Sequence, residues 1–248
     1  MNALHWLKPG DRNGAFPSVD CALADPDGLL AIGGDLSVSR LLEAYRRGIF
    51  PWYSEGQPIL WWSPDPRLVL TPDRIHVSKS LRKTLRRNRF RISMDTAFDE
   101  VITRCAAPRY GQSGTWITRE MCEAYGKLHR QGFAHSVEIH DGDELVGGLY
   151  GVSIGRAFFG ESMFSALPNA SKIALVYLGR QLARWDFPMI DCQVRTEHLV
   201  SMGATEISRR DFVDLIERAC GLNHPAGRWR YDPGIGSTLA GQDGGGDP

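Results

Sequence analysis

Residues 158–164 read Phe-Phe-Gly-Glu-Ser-Met-Phe, which places Glu161 in the middle of an apolar run with strand character. An unpaired carboxylate there is costly, so Glu161 requires a partner, either a structural Arg or a cationic substrate. Asp191, Cys192 and Gln193 pose a related question. In a strand Asp191 and Gln193 share one face while Cys192 points to the other. A carboxylate beside an amide is either a hydrogen-bonded structural couple or a device that positions a reacting amine or oxyanion. Cys192 and His198 could instead form a nucleophile and its base, but a Cys in a strand usually packs, and no third orienting group accompanies it.

A second group of chemistry-bearing residues is aromatic. Gly-Ile-Phe-Pro-Trp at 48–52 and Trp-Trp-Ser-Pro-Asp-Pro-Arg at 61–67 put three tryptophans and a phenylalanine in a turn-rich region. Trp61 and Trp62 read as a small aromatic core. Trp52 can equally be a platform on which a nucleobase stacks, for about 1 to 3 kcal/mol, and Trp116 and Tyr125 raise the same choice. The seven histidines are dispersed without a His-Glu-x-x-His pattern, and the five cysteines form no Cys-x-x-Cys pair, so neither a metal site nor a disulfide framework is expected. The cluster Gly147, Gly148, Gly151 and Gly155 lacks the phosphate-loop pattern and reads as bulges or close approach to a ligand.

Charge supplies a third candidate. Twenty-nine basic and 29 acidic residues give a formal net charge of +0. Affinity for nucleic acid must therefore come from local segregation. Such a segment exists: Arg74, Lys79, Arg82, Lys83, Arg86, Arg87, Arg89 and Arg91 follow one another with no intervening acid. It reads as a phosphate-gripping stripe, centred on Arg82, Lys83, Arg86 and Arg87, or as a solvated helix face.

The elements that position these residues can be read coarsely. A helix is expected over 39–47, where Leu41, Leu42 and Tyr45 share a face and Gly48 stops it. Thr118 reads as the N-cap of a helix ending near Gly132. Residues 134–140 alternate, Asp141-Gly142-Asp143 is turn chemistry, and 145–154 with 157–163 read as strands joined at Gly155-Arg156, which makes an antiparallel meander. Asn169 is expected to cap a helix reaching about Asp186. A strand over 189–194 follows, then short helices around 197–202 and 211–220. This order is α+β.

A chain of 248 residues with 42% apolar and 23% charged residues is an ordinary globular protein of one to two domains. A small N-terminal α/β lobe over 1–66, a larger domain over 67–233 and a disordered Gly-rich tail over 234–248 are expected. The longest stretch without Asp, Glu, Lys or Arg, 145–155, is too short to cross a bilayer, and the first residues lack signal-peptide order. A cytoplasmic protein without membrane contact is expected.

Several strings, taken together and in order, carry a resemblance: Gly-Gly-Asp-Leu (33–36), the two aromatic runs above, Gly-Thr-Trp-Ile (114–117), His-Ser-Val-Glu (135–138), Leu-Val-Gly-Gly-Leu-Tyr-Gly (145–151), Gly-Glu-Ser-Met-Phe (160–164) and Asp-Cys-Gln (191–193). Over roughly 12–215 the chain resembles leucyl/phenylalanyl-tRNA:protein transferases. The resemblance implies an aminoacyltransferase that moves Leu, Phe or Met from aminoacyl-tRNA to proteins with N-terminal Arg or Lys, marking them for degradation by the N-end rule. It implies no cofactor, no metal and a monomer. It also implies a C-terminal domain similar to the GCN5-related N-acetyltransferase fold, although residues 165–171 lack that fold's acyl-CoA pyrophosphate loop.

By the same resemblance, Trp52, Trp116 and Tyr125 contact the terminal adenosine, and Leu149, Phe158, Leu175 and Ile190 line the aminoacyl side-chain pocket. Asp191, Gln193 and Glu161 serve catalysis or peptide binding. His140 departs from the family pattern, where a Trp is expected. Two rival readings are an acyl-CoA-dependent N-acetyltransferase, which titration with acetyl-CoA distinguishes, and a non-enzymatic RNA-binding module, which binds tRNA regardless of charging.

Overall fold

The computed structural model describes residues 4–10, 15–108, 116–224 and 227–235. Among the described residues the chain builds two sheets. The first contains β1 (His5–Leu7), β2 (Leu29–Gly33), β3 (Phe50–Pro51) and β4 (Leu60–Trp62) in the order β1-β2-β4-β3. β1 runs parallel to β2, and the remaining neighbours are antiparallel. Against this sheet lies α1 (Val38–Arg46), where the Ser37 hydroxyl caps the first turn by accepting from the Arg40 N–H at 3.4 Å. Its apolar face, Leu41, Leu42, Ala44 and Tyr45, is buried.

The second sheet has the order β11-β5-β10-β9-β8-β7-β6. Its strands are β5 (Arg67–Leu70), β6 (Arg91–Met94), β7 (Ala134–Asp141), β8 (Glu144–Ile154), β9 (Ala157–Ser165), β10 (Met189–Gln193) and β11 (Thr205–Ile207). The expected meander is β7-β8-β9, closed at Gly155-Arg156 with Gly155 at φ +56°. β9 and β10 are parallel, and the crossover between them is α5 (Ala170–Arg184). The other helices are α2 (Lys79–Arg86), α3 (Phe98–Ala106), α4 (Arg119–Arg130), α6 (Glu197–Ser201) and α7 (Arg209–Cys220). Thr118 caps α4 as expected, accepting from the Met121 N–H at 3.2 Å.

Two hydrophobic cores flank the larger sheet. One joins Leu30 and Trp61 of the small sheet through α1, α3, α4 and α7 to Tyr150 and Phe159; the other gathers α2 and α5 around Leu149, Phe158 and Ile190. The neighbours Phe158 and Phe159 thus enter different cores, as strand alternation requires. The expected aromatic core is present at Trp61, which is fully buried and donates Nε1–H to the Gly33 carbonyl at 2.8 Å.

The glycine cluster serves close packing and a bulge. A Cβ on Gly147 would meet Ala170 of α5 at 2.4 Å, one on Gly151 would meet the Phe158 ring at 2.6 Å, and the β8–β9 register shifts between Tyr150 and Gly151.

Two expectations are corrected. Asn169 precedes α5, but its side chain makes no capping bond, because its backbone is left-handed at φ +69°. In the expected tail, Ile235 is 2% exposed and packs in the second core, while 236–248 fall outside the described residues.

Candidate functional site

Strands β8, β9 and β10, the N-terminal half of α5 and the segment after β10 enclose a cavity of about 900 Å³. Leu149, Phe158, Leu175 and Ile190 lie together on its wall, with Met163 and Leu178 beside them. Trp52, 41% exposed, and Trp116 also line it. The Trp52 ring leans on Trp62 at 5.9 Å, and the Trp62 Nε1–H donates to the Trp52 carbonyl at 2.7 Å. Two residues of the 114–117 string, Gly114 and Thr115, lie outside the described residues.

The polar part of the wall holds Glu161, Asp191 and Gln193. Asp191 is fully buried and accepts two bonds from Arg67, Nε–H at 2.8 Å and Nη2–H at 2.7 Å. The Arg67 guanidinium, 1% exposed, also donates to the Gly48 carbonyl and lies 4.7 Å and 4.5 Å over the rings of Phe50 and Phe212. This arrangement corrects the Asp191–Gln193 expectation. The β10–β5 register shifts between the two residues, and Gln193 adopts φ +58°. Asp191 therefore accepts from the Gln193 backbone N–H at 2.9 Å, while the Gln193 side-chain Nε2 is buried without a protein partner.

Of the two partners expected for Glu161, the structural Arg is not the group it meets. The Arg is bonded to Asp191, and Glu161 instead accepts from the Tyr45 hydroxyl at 2.7 Å and the Tyr125 hydroxyl at 2.8 Å. The two hydroxyls also touch each other. Three contacts thus link three groups. An ionised carboxylate leaves two hydroxyl protons for these contacts; a protonated Glu161 supplies the third and closes the ring. Burial is the main cause that pushes the Glu161 carboxyl up to about 7, against the lowering effect of the tyrosine bonds. Burial and the nearby Glu161 also raise Tyr45, Tyr125 and Tyr150 well above the usual phenol range.

Tyr125 is accordingly corrected. It is fully buried, its hydroxyl is engaged with Glu161, and it offers no ring for a base to stack on. The nucleophile reading of Cys192 has no support, since burial raises its thiol far above the range in which a thiolate forms. His198 does line the cavity, with Nε2 buried and unpartnered, and burial with the Lys172 charge lowers its pKa so that the ring is neutral at pH 7. Sequence reasoning missed Tyr150 as part of this wall, and Tyr45 and Arg67 as the partners that hold its acids; the helical face of Tyr45 and the strings containing Arg67 and Tyr150 drew attention to the residues without these roles.

The basic stripe lies apart from this wall. In α2, Leu81 and Leu85 are buried, and Lys79, Arg82, Lys83, Arg86 and Arg87 surround a separate concavity. Arg89 is ion-paired with Asp141. His140, in β7, is buried beside Ser93 and away from the cavity lining.

An apolar wall beside buried acids held by fixed partners suits a site that aligns two reactants. The family model for "Leucyl/phenylalanyl-tRNA protein transferase" matches residues 69–217, and the model for that family's N-terminal domain matches 34–65. A relative in Anaeromyxobacter sp. (strain Fw109-5), named leucyl/phenylalanyl-tRNA--protein transferase, is 59% identical over 231 residues, 93% of this chain and 97% of its own length. Relatives of the same name from Nitrosomonas eutropha and Methylococcus capsulatus are 56% and 54% identical, covering 88% and 93% of this chain and 93% and 98% of theirs. The chain belongs to the leucyl/phenylalanyl-tRNA--protein transferase family. Among solved structures, L-PGS from Bacillus licheniformis overlaps at a TM-score of 0.37 and 11% identity over 82% of this chain and 69% of that one.

Proposed function

We propose that this chain moves Leu, Phe or Met from aminoacyl-tRNA to the α-amine of proteins with N-terminal Arg or Lys, marking them for degradation. The observation that carries the reading is the meeting, in one cavity, of an apolar pocket (Leu149, Phe158, Leu175, Ile190), an exposed aromatic (Trp52) and the polar wall of Glu161, Asp191 and Gln193.

The ester of the donor is already activated, so catalysis needs alignment and charge stabilisation, with no cofactor or covalent nucleophile. The neutral amine attacks the ester carbonyl and forms the C–N bond, the ester C–O bond breaks, and the proton that the attacking nitrogen sheds passes to the departing ribose oxygen, which leaves as the tRNA terminal hydroxyl. Gln193, a neutral amide, orients the amine; Asp191, fixed by Arg67, holds the backbone that presents Gln193. Glu161 takes up the proton released by the α-ammonium, whose ordinary pKa of about 7.7 to 8.0 is close to that of Glu161. Trp52 and Trp116 stack the terminal adenosine, and Arg82, Lys83, Arg86 and Arg87 hold tRNA phosphates.

The protein acts as a cytoplasmic monomer, with a small N-terminal lobe over 1–66 and a domain over 67–233 of acetyltransferase-like fold. No helix of the described residues is long and apolar enough to cross a membrane. Mass spectrometry tests the reading: an arginine-headed peptide incubated with leucyl-tRNA gains one leucine residue, whereas acetyl-CoA adds nothing. Gln193→Ala lowers the single-turnover rate about 100-fold; an unchanged rate contradicts its assignment.

A further inference from the structure

Residues 227–235 lie beyond both matched family models and pack directly against the back of the candidate pocket. Backbone and ring contacts hold this segment, along with an ion pair between Arg184 and Asp232 at 3.1 Å. The Trp229 N–H donates to Asp95 Oδ2 at 2.6 Å, the Asp232 N–H donates to Gln181 Oε1 at 3.0 Å, and Tyr231 meets Tyr177 edge-on at 5.6 Å. Asp95 is itself buried and accepts from the Ser136 N–H at 2.9 Å, with His135 Nδ1 at 2.8 Å. One carboxylate thus joins the segment to β7.

The anchoring fixes the Trp229 side chain, which is 5% exposed. Its indole stacks on His135 at 3.8 Å and 5°, meets Trp185 edge-on at 5.0 Å, and lies 5.7 Å from the Phe158 ring. Phe158 is 1% exposed, and its ring edge fills the space that a Cβ on Gly151 would need. Phe158 also lines the cavity. Its ring therefore has little freedom to retreat: the Gly151 backbone and the Trp229 indole both limit it.

We propose that Trp229 is a specificity-determining residue, setting the depth of the side-chain pocket by holding Phe158 in place. The inference rests on the reading of that pocket as the seat of the Leu or Phe side chain. Trp229 acts through Phe158 and touches no reacting atom, so it is a positioning residue.

The test compares the parent with Trp229→Leu, Trp229→Phe and Phe158→Leu in competition between leucyl-tRNA and phenylalanyl-tRNA for one arginine-headed peptide. Affinities for amide-linked leucyl-adenosine and phenylalanyl-adenosine are measured in parallel. Trp229→Leu is expected to shift the kcat/KM ratio toward phenylalanine by about tenfold, the low end of what a methylene of pocket space is worth. Trp229→Phe, which keeps an aromatic ring against Phe158, restores most of the parental ratio, and Trp229→Leu adds little in a Phe158→Leu background.

A structural role alone would slow both donors equally. Unchanged ratios in folded Trp229→Leu and Trp229→Phe overturn the proposal. A parent that transfers neither amino acid overturns the proposed reaction instead, and the ratio of analogue affinities then decides Trp229. A parent that binds neither analogue removes the pocket, and this proposal with it.

Discussion

Arg67 and Asp191, 124 positions apart, form a two-bond ion pair at 2.8 and 2.7 Å in which neither side chain is more than 1% exposed. The pair joins β5 to β10 beneath the cavity, and the same guanidinium reaches the Gly48 carbonyl and the Phe50 ring beside the small sheet. Removing one partner leaves an uncompensated buried charge. Asp191→Asn or Arg67→Leu is therefore expected to cost about 3 to 5 kcal/mol in urea unfolding, and the double change Arg67→Met, Asp191→Leu to recover much of it. A single variant as stable as the parent would show that the charge is compensated elsewhere.

Glu161 gives a pH signature with a definite sign. Its carboxyl titrates near 7 when folded, against an ordinary 4.5. Between these values the folded chain holds a proton that the unfolded chain releases, so its contribution to stability is present at low pH and is lost as pH rises toward 7. Relative to Glu161→Gln, the parent should lose about 2 to 3 kcal/mol between pH 4 and 8 in paired denaturation series. Parallel curves would rule out the protonated ring with Tyr45 and Tyr125.

Trp52 and Tyr125 should separate cleanly. Trp52 is exposed at the cavity, and Tyr125 is buried against Glu161. On the proposed chemistry, Trp52→Ala weakens binding of aminoacyl-adenosine by about 1 to 3 kcal/mol, measured by calorimetry. Tyr125→Phe leaves that affinity unchanged and instead shifts the Glu161 titration. Equal losses from both variants would contradict this division.

The cationic face of α2 predicts a salt effect. Neutralising Arg82, Lys83, Arg86 and Arg87 to Gln should lower the slope of log affinity for tRNA against log salt by about 3. An unaltered slope would identify these residues as an ordinary solvated face.

What the sequence made legible follows from local rules. The Thr118 cap, the Gly155-Arg156 turn and the meander hairpins depend on neighbours close in the chain, and the structure has them. The small sheet was less legible, because strands of two to five residues carry almost no alternation. At the candidate site, types and strings picked out Glu161, Asp191 and Gln193, but pairing escaped. The bulge that turns Gln193 away from Asp191 is set by the register against β5, and the Glu161 ring needs Tyr45 from α1 and Tyr125 from α4.

Transfer of radiolabelled leucine from charged tRNA to peptides beginning with Arg, Lys or Ala tests the proposed reaction most directly. Label should appear on the arginine- and lysine-headed peptides, stay off the alanine-headed one, and leave the tRNA in equal amount. Leucyl-tRNA that remains intact beside an arginine-headed acceptor, in the presence of the folded chain, would contradict it.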